Sequence, residues 1–193
     1  MFDHYALDEL QAKLLARRII AIEDEIDAHM AGYVREVLLR LVADGNPPAI
    51  VIISSHGGNV EFGMAIYDMI RAYPGETTGV VVGYAKSMAA VILQACDRRV
   101  SLHNSKILIH NIILRSVSLD TLRDQERLER LIRETEKDQQ VHYEIFAERT
   151  GKPVGEIRAQ CQKDANMDAA EALSFNLIDE IIDEFAVLEK DDD

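Results

Sequence analysis

Thr77-Thr78-Gly79-Val80-Val81-Val82-Gly83-Tyr84-Ala85-Lys86-Ser87-Met88-Ala89-Ala90-Val91-Ile92-Leu93 decides how the rest of the chain is read. The β-branched run Thr77 to Val82 predicts a buried strand, and Ser87 to Ala95 predicts a helix, so Ser87 stands where one gives way to the other. The alternation recurs on both sides. Arg18 to Ile22 predicts a first strand, and Asp27 is placed to cap a helix carrying Met30, Val34, Val37, Leu38, Leu41 and Val42 at helical spacing. The Gly45-Asn46-Pro47-Pro48 turn ends that helix. Ala49 to Ile53 predicts a strand covered on both faces, Gly57-Gly58 a turn, and Asn59 the cap of a helix through Met64, Ala65, Tyr67 and Ile70. Val100 to Leu102 and Ile107 to Ile109 predict paired short strands around Asn104-Ser105. Three strand–helix units followed by paired strands predict an α/β layer fold with a mainly parallel sheet.

The segment from Ser118 to about Arg149 is dense in charge, with only Leu119, Leu122, Leu128, Leu131 and Ile132 to bury in its first two-thirds. Pairs such as Glu126/Arg130 and Glu129/Arg133 support one long helix there. A helix so polar projects from the body or bridges to another subunit. Gly151 to Glu184 predicts two short helices and a last strand, Ile178 to Ile182.

Composition limits the function. The chain has 193 residues, 48% apolar and 28% charged, which suits one domain with a real core. A net charge of −13 argues against nucleic acid as a partner, because phosphate binding needs clustered Lys and Arg. No apolar run is long enough for a membrane span, and the start lacks the pattern of a secretion signal, so no membrane partner and a cytoplasmic location are expected. Cys96 and Cys161 are expected as buried thiols. His4, His29, His56, His103 and His142 lack ligand-like spacing, and no phosphate-cradling Gly-x-x-x-x-Gly-Lys-Ser/Thr loop occurs, so neither metal nor other cofactor is expected.

The chemistry sits at element ends. Ser87 is a candidate nucleophile, His110 a base at the end of a strand-like run, Asp164 an acid, and Gly57-Gly58 a backbone stretch free of side chains. At a helix start, Ser87 also has free N–H groups nearby. Each has a plainer reading. Ser87 may be read simply as a helix cap, His110 as structural, Asp164 as a cap for the next helix and Gly57-Gly58 as a tight turn. On spacing alone, the chain is an α/β hydrolase candidate.

Together, the motifs resemble the proteolytic-subunit family of the Clp protease, ClpP. The resemblance runs from about Leu7 to about Asp183. It rests on Ser55-His56-Gly57-Gly58-Asn59-Val60, Gly63-Met64-Ala65-Ile66-Tyr67-Asp68, Gly83 to Ala89, Asn104-Ser105-Lys106-Ile107-Leu108-Ile109-His110 and Ala169-Ala170-Glu171-Ala172 leading to Leu177-Ile178-Asp179. The resemblance implies one peptidase domain over 1–193, a ClpP/crotonase-like spiral of β-β-α units. Its head spans about 7–115 and 150–187, a protruding handle helix about 118–149, and an acidic tail 188–193. It implies a serine endopeptidase with Ser87 as nucleophile, His110 as base and Asp164 as orienting acid. The N–H groups of Gly58 and Met88 then form the oxyanion hole. It implies heptameric rings stacked as a tetradecamer, a Clp-type AAA+ ATPase as partner, and unfolded protein or peptide as substrate.

The chain departs from the family pattern at His56, which stands in place of Pro, and at Lys86, in place of a small residue. Asn111-Ile112 replaces Gln-Pro, the glycine-rich stretch that normally follows is missing, and the axial pore loops at the N-terminus are expected to be reduced. Three other readings compete: a Ser-Lys dyad using Lys86 or Lys106, a crotonase-type acyl-CoA enzyme, and a stand-alone or non-catalytic ring subunit.

Overall fold

The computed structural model describes residues 7–185, so the expected acidic tail and the first six residues lie outside the described part. Its centre is a sheet whose strands β1 (Ile19–Ile26), β2 (Ala49–Gly58), β3 (Thr77–Lys86), β4 (Arg98–Leu102) and β7 (Glu180–Ile182) lie side by side in that order, every pair parallel. Short β5 (Lys106–Leu108) also runs parallel to β3, and two-residue β6 (Met167–Asp168) pairs antiparallel with β5. The mixed α/β architecture with a largely parallel sheet is the one the sequence predicts.

Helices α1 (Glu9–Ala16), α2 (Ala28–Ala43), α3 (Val60–Ala72) and α4 (Met88–Leu93) precede or link these strands. Asp27 and Asn59 cap α2 and α3 as predicted, their side chains accepting from the N–H groups of Met30 and Phe62. The main core gathers Val34, Val37 and Leu41 of α2, Ile66 and Ile70 of α3 and all six residues of α4 against Val51, Ile53 and Val81 of the sheet. α4 is apolar all round because it is buried all round.

Several expectations change. Ala49 to Ile53 is not covered on both faces: Ala49, Val51 and Ile53 are buried, whereas Ile50 and Ile52 are half-buried on a thinly covered opposite face. Gly57-Gly58 is not a turn but the end of β2, paired with Glu25 and Ile26 beyond a register shift in β1. β4 and β5 do not pair with each other. Both lie along β3, β4 beside Thr78–Val81 and β5 beside Tyr84–Lys86, because the Asn104-Ser105 corner (Ser105 Oγ donating to the Val81 carbonyl, 3.0 Å) carries the chain onward along the same neighbour.

The charged segment forms two helices, not one: α5 (Leu119–Arg123) and α6 (Gln125–Thr150). They part at Asp124, whose φ of −102° and ψ of 105° are extended and whose side chain caps α6 at the Arg127 N–H. The Glu126/Arg130 and Glu129/Arg133 pairs form at 3.2 and 3.6 Å. Leu119 is 66% exposed, and Leu122 and Ile132 are also exposed. α7 (Val154–Lys163) and α8 (Ala169–Ser174) complete the chain, and the last strand begins at Glu180 instead of Ile178.

A buried arginine paired with a solvent-facing aspartate ties the sheet to the far end of α6. Arg99 on β4 is 4% exposed and grips Asp179 through side chain and backbone, while its guanidinium reaches Gln94 Oε1 (2.6 Å) and the Arg149 carbonyl (3.3 Å). Burial alone would raise the Asp179 carboxyl, but the Arg99 hydrogen bonds and charge outweigh it and hold the group below the usual carboxylate range.

Candidate active site

β3 delivers Ser87. The parallel ladder with β5 ends at Lys86, and the Ser87 N–H then donates to the Leu108 carbonyl at 2.9 Å, one residue past the last pair. Ser87 itself has φ 55° and ψ −125°, a backbone state a non-glycine residue adopts only when its surroundings impose it. Its hydroxyl makes no capping bond to α4. The plain reading of Ser87 as a helix cap therefore fails, and its side chain is left free at a strained strand-to-helix corner.

The same ladder carries His110. Leu108 closes β5, and two residues on, His110 lines the same groove as Ser87, a cavity of about 1280 Å³. Gly58 and Met88 line it as well. Met88 is the first residue of α4, so its N–H has no preceding helical turn to accept it. Four of the five candidates therefore meet at one groove.

The glycine between them is dictated by contact. A Cβ on Gly57, where φ is 93°, would fall 2.7 Å from both Ser87 Cβ and the Lys86 carbonyl oxygen. Buried Ser55 fixes this end of β2 by accepting from the Gly57 N–H at 3.0 Å and donating to the Asp24 carbonyl.

Asp164 is elsewhere. It is exposed, ends α7 in the left-handed region (φ 47°, ψ 43°) and does not line the groove. Nor is it the cap of the next helix, since Asp168 caps α8 by accepting from the Glu171 N–H. Among the described residues no hydrogen bond joins His110 to Ser87 or to Asp164.

The family departures have structural consequences. His56 stacks on Tyr84 with ring centroids 4.1 Å apart, and the Lys86 ammonium lies 5.8 Å from the Tyr84 centroid. Neither Lys86 nor Lys106 lines the groove, which disfavours a Ser-Lys dyad. Asn111 and Ile112, where the family has Gln-Pro, are anchored to α6: Tyr143 Oη donates to Asn111 Oδ1 at 2.6 Å, and the Ile112 N–H donates to Gln139 Oε1 at 2.5 Å. Residues 111–117 have no regular structure, and their first two are fastened to α6.

One groove residue was missed by the sequence reading. His142 on α6 is 5% exposed, lines the groove, and its Nε2 has no hydrogen-bond partner. Burial, helped by the nearby His110 and opposed by Asp138, pushes its imidazole down to about 4. The available signal was the helical spacing of Leu131, Thr135, Asp138, His142 and Phe146, all of which line this groove.

Cys96 and Cys161 are buried free thiols, each pushed up to about 12 by burial. Among the described residues no cluster of three or more His, Cys, Asp or Glu is placed to hold a metal ion, and no helix is long and apolar enough to cross a membrane.

Comparison with known proteins gives a consistent result. A family model described as Clp protease matches residues 4–185. The chain is 32% identical to an ATP-dependent Clp protease proteolytic subunit 3 of Rhodococcus jostii (strain RHA1), over 93% of this chain and 88% of that relative. It is 33% identical to an ATP-dependent Clp protease proteolytic subunit 1 of Protochlamydia amoebophila (strain UWE25), over 94% of this chain and 88% of the relative.

Proposed function

The chain belongs to the Clp protease family, and from that premise we propose that it is a serine endopeptidase acting on unfolded polypeptides or peptides through Ser87. The observation that carries this reading is the backbone of Ser87. Its φ of 55°, its uncapped hydroxyl and its place beside His110 on one groove suit a nucleophile and nothing structural.

The steps follow from the chemistry of the groups. Ser87 Oγ attacks the scissile carbonyl as His110 takes its proton, and the oxyanion is received by the N–H groups of Gly58 and Met88. His110 then protonates the leaving amine, an acyl ester remains on Ser87, and water released of its proton to His110 hydrolyses it. Asp164 serves as the orienting acid once its corner after α7 is brought to His110, an adjustment we assign to assembly into stacked heptameric rings. Exposed Ile113, Leu114, Leu119, Leu122 and Ile132, all on the 111–132 stretch, support the reading of α5–α6 as the handle between rings. The relatives' names support an AAA+ ATPase as partner. We take the chain as one peptidase domain whose handle, α5–α6, serves the assembly that completes the site.

A fluorophosphonate probe tests the proposal: wild type is expected to label at Ser87 and hydrolyse casein and short peptides, and Ser87→Ala to do neither. The distance of Asp164 from the groove favours a second reading, a ring subunit without activity of its own. An unlabelled wild-type chain would establish that one instead.

A further inference from the structure

Ser87 and His110 lie between two acidic walls. On α3, Glu61, Met64, Ala65 and Asp68 share one face, and on α6, Leu131, Glu134, Asp138 and His142 share another; all of them line the groove. A third wall comes from the register shift of β1, where Asp24 and Glu25 also reach the lining. Against these six carboxylates Arg115 is the one Lys or Arg on the lining. None of the six takes part in an ion pair among the described residues.

A row of acids is often only a solvated surface. Here a second feature points to an occupant. His142, at the base of the groove between Asp138 and His110, is buried yet leaves Nε2 without a partner. Buried polar atoms of this kind are normally satisfied, and an unpartnered one on a side chain that lines a cavity is suited to a ligand's amide. Its imidazole is neutral near pH 7, so it offers a hydrogen bond without offsetting the charge of the walls. Carboxylates set around a concave site reinforce one another's potential and concentrate cations there, even where each is exposed.

We propose that this groove selects cationic peptide, holding Lys or Arg side chains that flank the scissile bond against the α3 and α6 carboxylates while His142 meets the peptide backbone. The inference rests on the peptidase reading for its substrate, but selection by charge is a matter of binding and does not require the acyl step.

The test therefore uses the full-length Ser87→Ala protein and three fluorescein-labelled peptides of equal length and identical centre, flanked by Lys, Gln or Glu, read by fluorescence anisotropy. The Lys-flanked peptide is expected to bind about tenfold more tightly than the Gln-flanked one at low salt, and the Glu-flanked one more weakly than either. The preference should shrink severalfold at about 0.5 M salt, where exposed charges are screened within a few ångströms. The combined Glu61→Gln, Asp68→Asn and Asp138→Asn protein should bind Lys- and Gln-flanked peptides alike, and His142→Phe should weaken all three equally. Equal binding of the three peptides, a preference for Glu flanks, or no saturable binding of the Lys-flanked peptide overturns the inference. The salt titration needs no substitution beyond Ser87→Ala, so it decides the charge preference even if the triple variant misfolds, and His142→Phe then decides whether the peptide sits in this groove. Wild type that hydrolyses all three at one rate upholds the peptidase and removes the selectivity. Charge-selective binding by a wild type that hydrolyses nothing does the reverse.

Discussion

At the scale of single residues, the strain at Ser87 and its contact with Gly57 make a sharp prediction. Gly57→Ala would add a Cβ 2.7 Å from Ser87 Cβ at a φ of 93°, so the strand end or the serine must shift. Fluorophosphonate labelling of Ser87 is expected to fall at least about 100-fold, because a misplacement of about 1 Å can cost that much, while the fold is retained. His142 predicts a pH effect whose sign is fixed by burial. Its imidazole is held at about 4 when folded and near 6.5 when unfolded, so the unfolded chain binds the proton more readily between those values. Stability is full above about pH 6.5 and declines as pH falls to about 4, by roughly 3 kcal/mol in all. Urea unfolding across that range should show the slope, and His142→Phe should flatten it. The sequence pointed to Ser87, His110 and Gly57-Gly58 because they stand at the ends of apolar runs, whereas Met88 came from the family resemblance alone; the structure sets Ser87, Met88, Gly58 and His110 along one groove. It did not disclose His142, since a buried imidazole and a solvated one look the same in a charged helix. Asp164 was placed by family resemblance, and its exposed position at the end of α7 depends on tertiary arrangement that no local pattern encodes.

Elements with continuous β-branched runs and clear caps were legible: β2, β3, α2 and α3 appear where the pattern puts their starts. β6 was not, because a two-residue strand has no periodicity, and α1 was overlooked although Asp8 and Gln11 form a capping box at its start. Gly57-Gly58 reads as a turn by composition but belongs to a strand, since the Ile26 backbone approaches too closely for any side chain at Gly58. The interruption between α5 and α6 was hidden because the charge-dense composition runs across it with no Gly or Pro to mark the break. Asp124→Ala removes the α6 cap and should cost about 1 kcal/mol, seen as faster amide exchange at residues 125–128 with little change elsewhere. Arg99 joins β4, α4, the end of α6 and the β7 entry through Gln94, Arg149 and Asp179. Arg99→Ala leaves buried Gln94 Oε1 without its donor and Asp179 to solvent, and should destabilise by about 1–3 kcal/mol, measured as a lower urea midpoint with an unchanged slope.

For the whole molecule, the exposed apolar residues of 111–132 argue for burial between subunits. Native mass measurement is expected to give a double ring, and Leu119→Asp with Leu122→Asp should yield smaller species without lowering the melting temperature of the isolated chain. A stable monomer in the wild type would refute the assembly proposal. The α/β class was readable from the alternation of strands and helices, whereas the sharing of β3 by β4 and β5 was not, because it depends on a corner at 103–105 that turns onward along the sheet instead of back. That sharing has a mechanical outcome. Ser87 and His110, the proposed nucleophile and base, are set along one backbone seam, through the Ser87 amide on the Leu108 carbonyl and the two-residue step to His110. Because Asn111 and Ile112 are in turn tied to α6 through Tyr143 and Gln139, a shift of that helix is expected to tug on the His110 end of the seam while the Ser87 end stays pinned to Leu108.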